Sequence, residues 1–152
     1  MQDQVVKLYG NWKYELRGPD NAVKKVIYGP NVVCTNGKEF LASFLYSAAA
    51  AASTFTMRYI AIGTDSTTEA AANTALGAEA ARVSGIVSYV SNQIFQVTGT
   101  FGAGVGTGSI VEYGLFSTAT TGGGTMLARD TEAVITKGSG DTLTVTAQFS
   151  IS

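Results

Sequence analysis

"TLTVTAQFSIS", residues 142–152, alternates from one end to the other. Leu143, Val145, Ala147, Phe149 and Ile151 share one side, and Thr144, Thr146, Gln148 and Ser150 share the other. Successive side chains of an extended backbone point to opposite faces, so the stretch predicts a half-buried strand with its apolar face on a core. "KGSGD", residues 137–141, stands before it and reads as a glycine-rich turn.

Upstream, strands and turns continue. "MLARDT" (126–131), a "TATTGGGT" turn (118–125) and "IVEYGLFS" (110–117) come next. Then follow "QIFQVTGTF" (93–101) and "RVSGIVSYVS" (82–91), which meet at Ser91 and Asn92. A long polar, alanine-rich connection, "TDSTTEAAANTALGAEAA" (64–81), leads back to the strand "MRYIAIG" (57–63). Near the start, "VVKLYGNWKYELRG" (5–18) alternates Trp12, Tyr14 and Leu16 with Lys13, Glu15 and Arg17. Pro19, Asp20 and Asn21 suit a turn, after which "AVKKVIYGPNVV" (22–33) returns as a second strand broken at Gly29 and Pro30. Many strands separated by such turns predict a mainly β fold, an antiparallel β-sandwich or jelly-roll-like domain. Within one compact domain, residues 1–30 read as an N-terminal β-hairpin or arm and residues 31–152 as the sandwich.

The spacing predicts one short α-helix over about 36–47. Asn36 is placed to cap it, Glu39 completes a capping-box-like pair, and Phe40, Leu41, Phe44 and Leu45 give one apolar face for a sheet. The alanines at 48–52 extend the helical pattern until the β-branched and aromatic "STFT" (53–56) ends it.

With 152 residues, the chain holds one core. Charged residues make up 14% of it, against about 25% in ordinary soluble domains. A polar surface with little charge suits faces partly covered by neighbours, because interface cores are depleted of charge. The net charge of −1 gives no overall pull toward nucleic acid or anionic lipid. Six of the ten basic residues (Lys7, Lys13, Arg17, Lys24, Lys25, Lys38) lie in the first forty positions, which reads as a solvated hairpin face or, more sharply, a docking arm for an acidic partner. No stretch approaches the roughly 20 apolar residues that cross a bilayer, and the opening "MQDQVVKLYG" predicts no secretory signal.

Catalytic chemistry has little to work with. Histidine is absent, which removes the usual neutral-pH base, the Ser-His-Asp and Cys-His arrangements and the commonest metal ligand. Cys34 is the only cysteine, so neither an internal disulfide nor a zinc framework is available, and its apolar setting reads as a buried small side chain. Glu112, Asp130 and Glu132 are the candidates for a hydrolytic carboxylate pair, with Arg129 or Arg82 placed to neutralise Glu112 instead. Asp65, Glu69 and Glu79 lack the dense oxygen-ligand spacing of a calcium loop. Tyr9, Trp12, Tyr14 and Tyr28 stand near basic residues, as a base-stacking platform requires, yet core and interface roles fit them as well. The reading is a non-enzyme with no cofactor, no metal, no nucleic acid and no membrane.

"FGAGVGTGS", residues 101–109, invites comparison with phosphate loops and fails it. From Gly102 the sixth place is Thr107 and from Gly104 it is Ser109, no lysine is present, and a strand rather than a helix follows. The glycines read as a strand-to-strand connection that needs positive φ.

Taken in order, "YIAIGTDSTTEAAANTALGAEAARV", "FGAGVGTGSIVEYGLFSTATTGGGTMLARD" and "KGSGDTLTVT" resemble a family of tailed-bacteriophage virion proteins, over roughly residues 31–152. "NVVCTNGKEFLASFL" (31–45) is similar to that family's entry into its helix. The resemblance implies a β-sandwich-like, commonly homotrimeric structural protein: a capsid decoration (cement) protein, a head-fibre module or a tail-fibre module. A short chain fits a small subunit added to a shell better than a complete fibre, so the expectation is a decoration protein of the virion, made in the host cytoplasm. Its partners would be the major capsid protein and further copies of itself. The alternative is a fibre module that attaches to the virion or binds host-surface glycans. Cementing a shell calls for apolar anchors, low charge and strand edges able to add to another sheet. Trp12, Tyr14, Leu16 and Arg17 of the hairpin are the candidate contacts to capsid or neighbouring subunit.

Overall fold

The computed structural model describes residues 7–47, 56–91 and 93–151, with helix side chains described as far as Leu41. In chain order the elements are β1 (Leu8–Arg17), β2 (Val23–Pro30), β3 (Val32–Val33), α1 (Thr35–Ser47), β4 (Tyr59–Gly63) and β5 (Glu79–Ser84). They continue with β6 (Ile86–Ser91), β7 (Ile94–Phe101), β8 (Gly108–Phe116), β9 (Met126–Lys137) and β10 (Thr142–Ile151). One five-stranded sheet runs β2-β1-β10-β7-β6, the other β3-β9-β8-β4-β5, and all pairings are antiparallel. The fold is a mainly β sandwich, as the alternation and turn chemistry predict.

β10 is the middle strand of the first sheet, and its alternation is realised: Leu143, Val145, Ala147 and Phe149 are buried, while Ile151 at the sheet's end is exposed. The hairpin turn also forms as read. Asn21 takes φ 64°, a left-handed conformation that asparagine tolerates. The Asn21 N–H donates to the Gly18 carbonyl at 2.9 Å, and the Ala22 N–H donates to Asp20 Oδ1 at 3.1 Å.

The N-terminal hairpin forms, with β1 and β2 paired from Asn11 opposite Pro30 to Arg17 opposite Val23. β1 also pairs with β10 along its whole length, from Leu8 opposite Ile151 to Arg17 opposite Thr142. Three expectations are corrected. "RVSGIVSYVS" is not one strand: the chain crosses between sheets at Gly85, with β5 on one and β6 on the other. β9 runs beyond "MLARDT" to Lys137, with Ile135 and Lys137 buried. The helix begins at Thr35, and the Lys38 N–H donates to the Cys34 carbonyl at 3.1 Å; Cys34 therefore holds the N-cap place and Asn36 lies inside the first turn. Phe44, Leu45 and the alanines at 48–52 lie outside the described side chains and residues.

Between the sheets pack Trp12, Tyr14, Leu16, Val97, Phe101 and the inward residues of β10, against Ile60, Ile62, Ile110, Tyr113, Leu115 and Ile135. A second, smaller cluster of Cys34, Ala61, Leu76, Phe116 and Met126 forms beside it. Here α1 comes so close to β9 that a Cβ on Gly37 would sit 2.4 Å from the Leu127 carbonyl oxygen.

Candidate functional site

The hairpin anchors read from the sequence are placed as follows. Trp12 is 1% exposed, and Tyr14 and Leu16 are equally buried in the sandwich core. This corrects their assignment as capsid or subunit contacts: the alternation of β1 turns these three inward onto the second sheet, so they present nothing to another molecule. Arg17 is on the outward face, but its Nε donates to Glu15 at 2.6 Å and its Nη1 to the Asn21 carbonyl at 2.8 Å, fastening its own hairpin. Glu15 also receives Lys13 at 2.8 Å, and these two hydrogen bonds hold the Glu15 carboxyl below its usual range. With Trp12 and Tyr14 inside and Tyr9 and Tyr28 outside, the four aromatics form no common stacking platform.

The hydrolytic pair also separates. Along β8 and β9, Tyr113 faces Asp130 and Gly114 faces Arg129, so Asp130 and Arg129 project to opposite sides of the sheet. Glu112 is on the Arg129 side. Buried there, it accepts Arg129 Nη2 at 2.9 Å and the backbone N–H groups of Asp65, Gly77 and Ala78 at 3.2, 2.9 and 2.7 Å. Arg129 in turn donates to the Thr67 carbonyl at 2.9 Å and to Asn73 Oδ1 at 3.2 Å. This buried ion pair pins the long 64–78 connection to the sheet. Among the three carboxylates weighed for calcium, Asp65 accepts from Thr67 at 3.1 and 2.8 Å, Glu69 accepts from the Thr131 hydroxyl, and Glu79 holds Arg82 with both oxygens at 2.8 Å. Arg82 lies over the Phe116 ring at 3.7 Å and donates to the Thr118 and Gly123 carbonyls, clamping the 117–125 loop.

On the inner side, the Tyr14 hydroxyl donates to Asp130 across the core, and the Tyr14 and Tyr113 rings stack with centroids 3.8 Å apart. Burial pushes the Asp130 carboxyl up to about 7; the Tyr14 hydrogen bond opposes the shift, and Glu132 and Glu69 add to it. Cys34 is pushed up to about 11 by burial, which leaves it a thiol rather than a nucleophilic thiolate at neutral pH. The glycine loop joins β7 to β8, with φ positive at Gly104, Gly106 and Gly108. Buried Lys137 donates to the Gly102 carbonyl at 2.9 Å and the Asp141 carbonyl at 2.8 Å, tying that loop to the 138–141 turn.

Two surfaces remain open on the first sheet. Its outer face carries a row of neighbouring amides, Asn11, Gln148 and Gln96, set by cross-strand register. These line a shallow dish of about 150 Å³ with Lys13, Thr146 and the exposed Tyr28. At its free edge, β6 is exposed at every residue, Ile86 to 74% and Tyr89 to 79%. The inward side of that edge opens into an apolar cleft of about 520 Å³ between α1 and β7. Phe40, Leu41, Met57, Val87, Tyr89 and Phe95 line it. Arg58, also in the lining, donates through Nη2 to the Gly85 carbonyl at 3.2 Å.

The site read from the sequence missed this edge. Its signal was present in "IVSYVS" (86–91), a β-prone run of six residues without charge or proline, but as the second half of a longer strand it does not stand out as an edge. Comparison of the chain with protein-family models, with curated proteins and with solved structures finds no match in any of the three.

Proposed function

We propose that this protein is a non-enzymatic structural subunit of a tailed-bacteriophage virion, a capsid decoration (cement) protein that binds the head surface and stabilises contacts between capsomers. The observation that carries the reading is the open apolar edge of the first sheet: Ile86, Val87, Tyr89 and Val90 stand exposed beside an apolar cleft. A contiguous exposed apolar patch marks a surface that meets another macromolecule. The order of segments that resembles virion proteins supplies the kind of particle. The proposal includes the major capsid protein and further copies of the chain as partners, a homotrimer as the family-like assembly, and the virion as its location. Purified particles separated into heads and tails, with the protein quantified in each, test it. Many copies per head, together with saturable co-sedimentation of the purified protein with heads, are expected. Confinement to the tail, or no binding to heads, overturns it.

A second reading rests on the outer face of the same sheet. The Asn11, Gln148 and Gln96 amides beside Tyr28 offer paired donors and acceptors next to an aromatic ring, the chemistry that recognises sugar hydroxyls, as a fibre module binding host-surface glycans requires. Under this reading, Gln148→Ala and Tyr28→Ala variants lose adsorption to host cells; undiminished adsorption eliminates it.

A further inference from the structure

Of the four sheet edges in the sandwich, three carry protection against pairing with another chain. β3 is two residues long. β5 contains Glu79 and Arg82, joined by hydrogen bonds. β2 contains Lys24 and Lys25 and ends at Pro30, with Lys24 bound to Asp141 at 2.8 Å and Lys25 donating to the Val134 carbonyl at 2.6 Å. Short length, charge and proline are the devices that keep strand edges from adding to one another. β6 has none of these three, and its one irregularity, the register shift against β7 between Tyr89 and Ser91, lies at its C-terminal end. Among the described residues it pairs with β7 alone, so one side of its backbone has no described strand beside it.

We infer that β6 pairs, antiparallel and edge to edge, with β6 of a second copy of this chain. Charge permits this occupant, and self-complementarity selects it. Ile86–Ser91 carries no ionisable residue other than Tyr89, so two copies can meet without like-charge repulsion, whereas an acidic or basic segment would find no counter-charge on the strand. The sequence is also self-complementary about Ser88. A two-fold axis there sets Val87 against the partner's Tyr89 on the inward face, within the Ile86–Tyr89 stretch that keeps a regular register against β7. Both apolar side chains then gain an apolar neighbour, twice over, as cross-strand pairs on one face require. On the inward face the Val87–Tyr89 pairs lie at the mouth of the cleft and extend its apolar lining across the axis. The two first sheets become one ten-stranded sheet through backbone hydrogen bonds along Val87–Tyr89. This contact deepens the self-association in the proposed function, and because it uses only one edge it is compatible with a three-fold contact made elsewhere.

Sedimentation of the full chain over a wide concentration range, alongside Val87→Lys and Tyr89→Lys variants, tests the pairing. Self-association is expected in the unmodified chain and should weaken about 100-fold in each lysine variant, since the pairing would bring buried charge to the interface. Both positions are exposed, so the melting temperature should hold. A Ser88→Cys variant gives an independent reading, because Cys34 is buried and the new thiol would face its own symmetry mate. Mild oxidation should then yield a two-chain species on a non-reducing denaturing gel. A monomer at all concentrations overturns the inference, as does an oligomer indifferent to the lysine changes, or a Ser88→Cys variant that stays single-chain. Deleting residues 48–55 separates one more case: if only the shortened chain associates, the chain covers its own edge and the pairing is refuted. Co-sedimentation of the unmodified chain with heads reads the decoration proposal separately, since the lysine changes fall on the edge that both proposals use.

Discussion

The hydroxyl of Tyr14 on β1 donates to the carboxyl of Asp130 on β9, so a single hydrogen bond joins the two sheets through the middle of the core. An acid placed there is costly to ionise, which makes the interior of this sandwich sensitive to protons. Its carboxyl titrates at about 7 instead of 3.8, because burial disfavours the charged form.

The sign of the pH effect follows. Between about 4 and about 7 the folded chain holds a proton on Asp130 that the unfolded chain has released, so rising pH across that window removes stability at up to about 1.4 kcal/mol per unit. Above about 7 the loss levels off. Chemical denaturation at a series of pH values should show this fall, and Asp130→Asn should flatten it and make the protein more stable than the wild type at pH 8. A slope unchanged by Asp130→Asn would assign the titration elsewhere.

Tyr14→Phe removes the one hydroxyl that steadies the Asp130 anion, so it should raise the Asp130 titration further. Loss of the buried hydrogen bond should also cost about 1–3 kcal/mol at neutral pH. Carboxyl chemical shifts followed by NMR across the titration would check the first effect, and urea denaturation the second.

Glu112→Gln keeps the shape of the buried hub but leaves Arg129 only the more distant Asp65 carboxylate, at 3.5 Å, as counter-charge. Removing the nearer partner of a buried charge costs up to about 3–5 kcal/mol, the full figure applying to a charge left wholly unpaired. The damage should be local first: amide exchange at Asp65, Gly77 and Ala78, whose N–H groups point at this carboxylate, should accelerate before the sheets open.

Lys137→Met removes the ammonium shared by the Gly102 and Asp141 carbonyls. Two acceptors then lose their donor, at a cost of about 1–3 kcal/mol each when left unsatisfied. Limited proteolysis should cut residues 102–107 in the variant while sparing the wild type.

Gly37→Ala tests how tightly the helix sits on β9. The new Cβ would meet backbone atoms of Leu127 at 2.4–2.9 Å, which cannot move aside as a side-chain tip can. A loss of about 1–3 kcal/mol is expected, read as a lower melting temperature.

Where local pattern and tertiary placement agree, the fold was legible in the sequence. β10 alternates because it is a central strand with one face in the core, and Pro19 to Asn21 carry turn chemistry in their own side chains. The passage from β5 to β6 was hidden for the opposite reason. Nothing in the β-branched residues around Gly85 distinguishes a straight strand from one that changes sheets, since the difference lies in which distant strand each half meets, Tyr59–Gly63 or Ile94–Phe101. Trp12, Tyr14 and Leu16 were correctly placed on one face, but periodicity does not say which face is the inside. The Glu112–Arg129 pairing was visible as a possibility because both lie within strands that read as neighbours, whereas its contacts with Gly77 and Ala78 depend on how a long connection folds back.

The pairing of β1 with β10 also governs the order of events when the chain is made. β1 is the earliest of the described strands to leave the ribosome and β10 the latest, yet each is the other's neighbour over ten register positions. The β1–β2 hairpin can form early, but its other side has to wait until the last strand arrives. Closure of the sheet is thus a late, long-range event, of the kind that slows folding and exposes apolar surface meanwhile. During that interval β1 is a second open edge, one that exists only while the protein is being born.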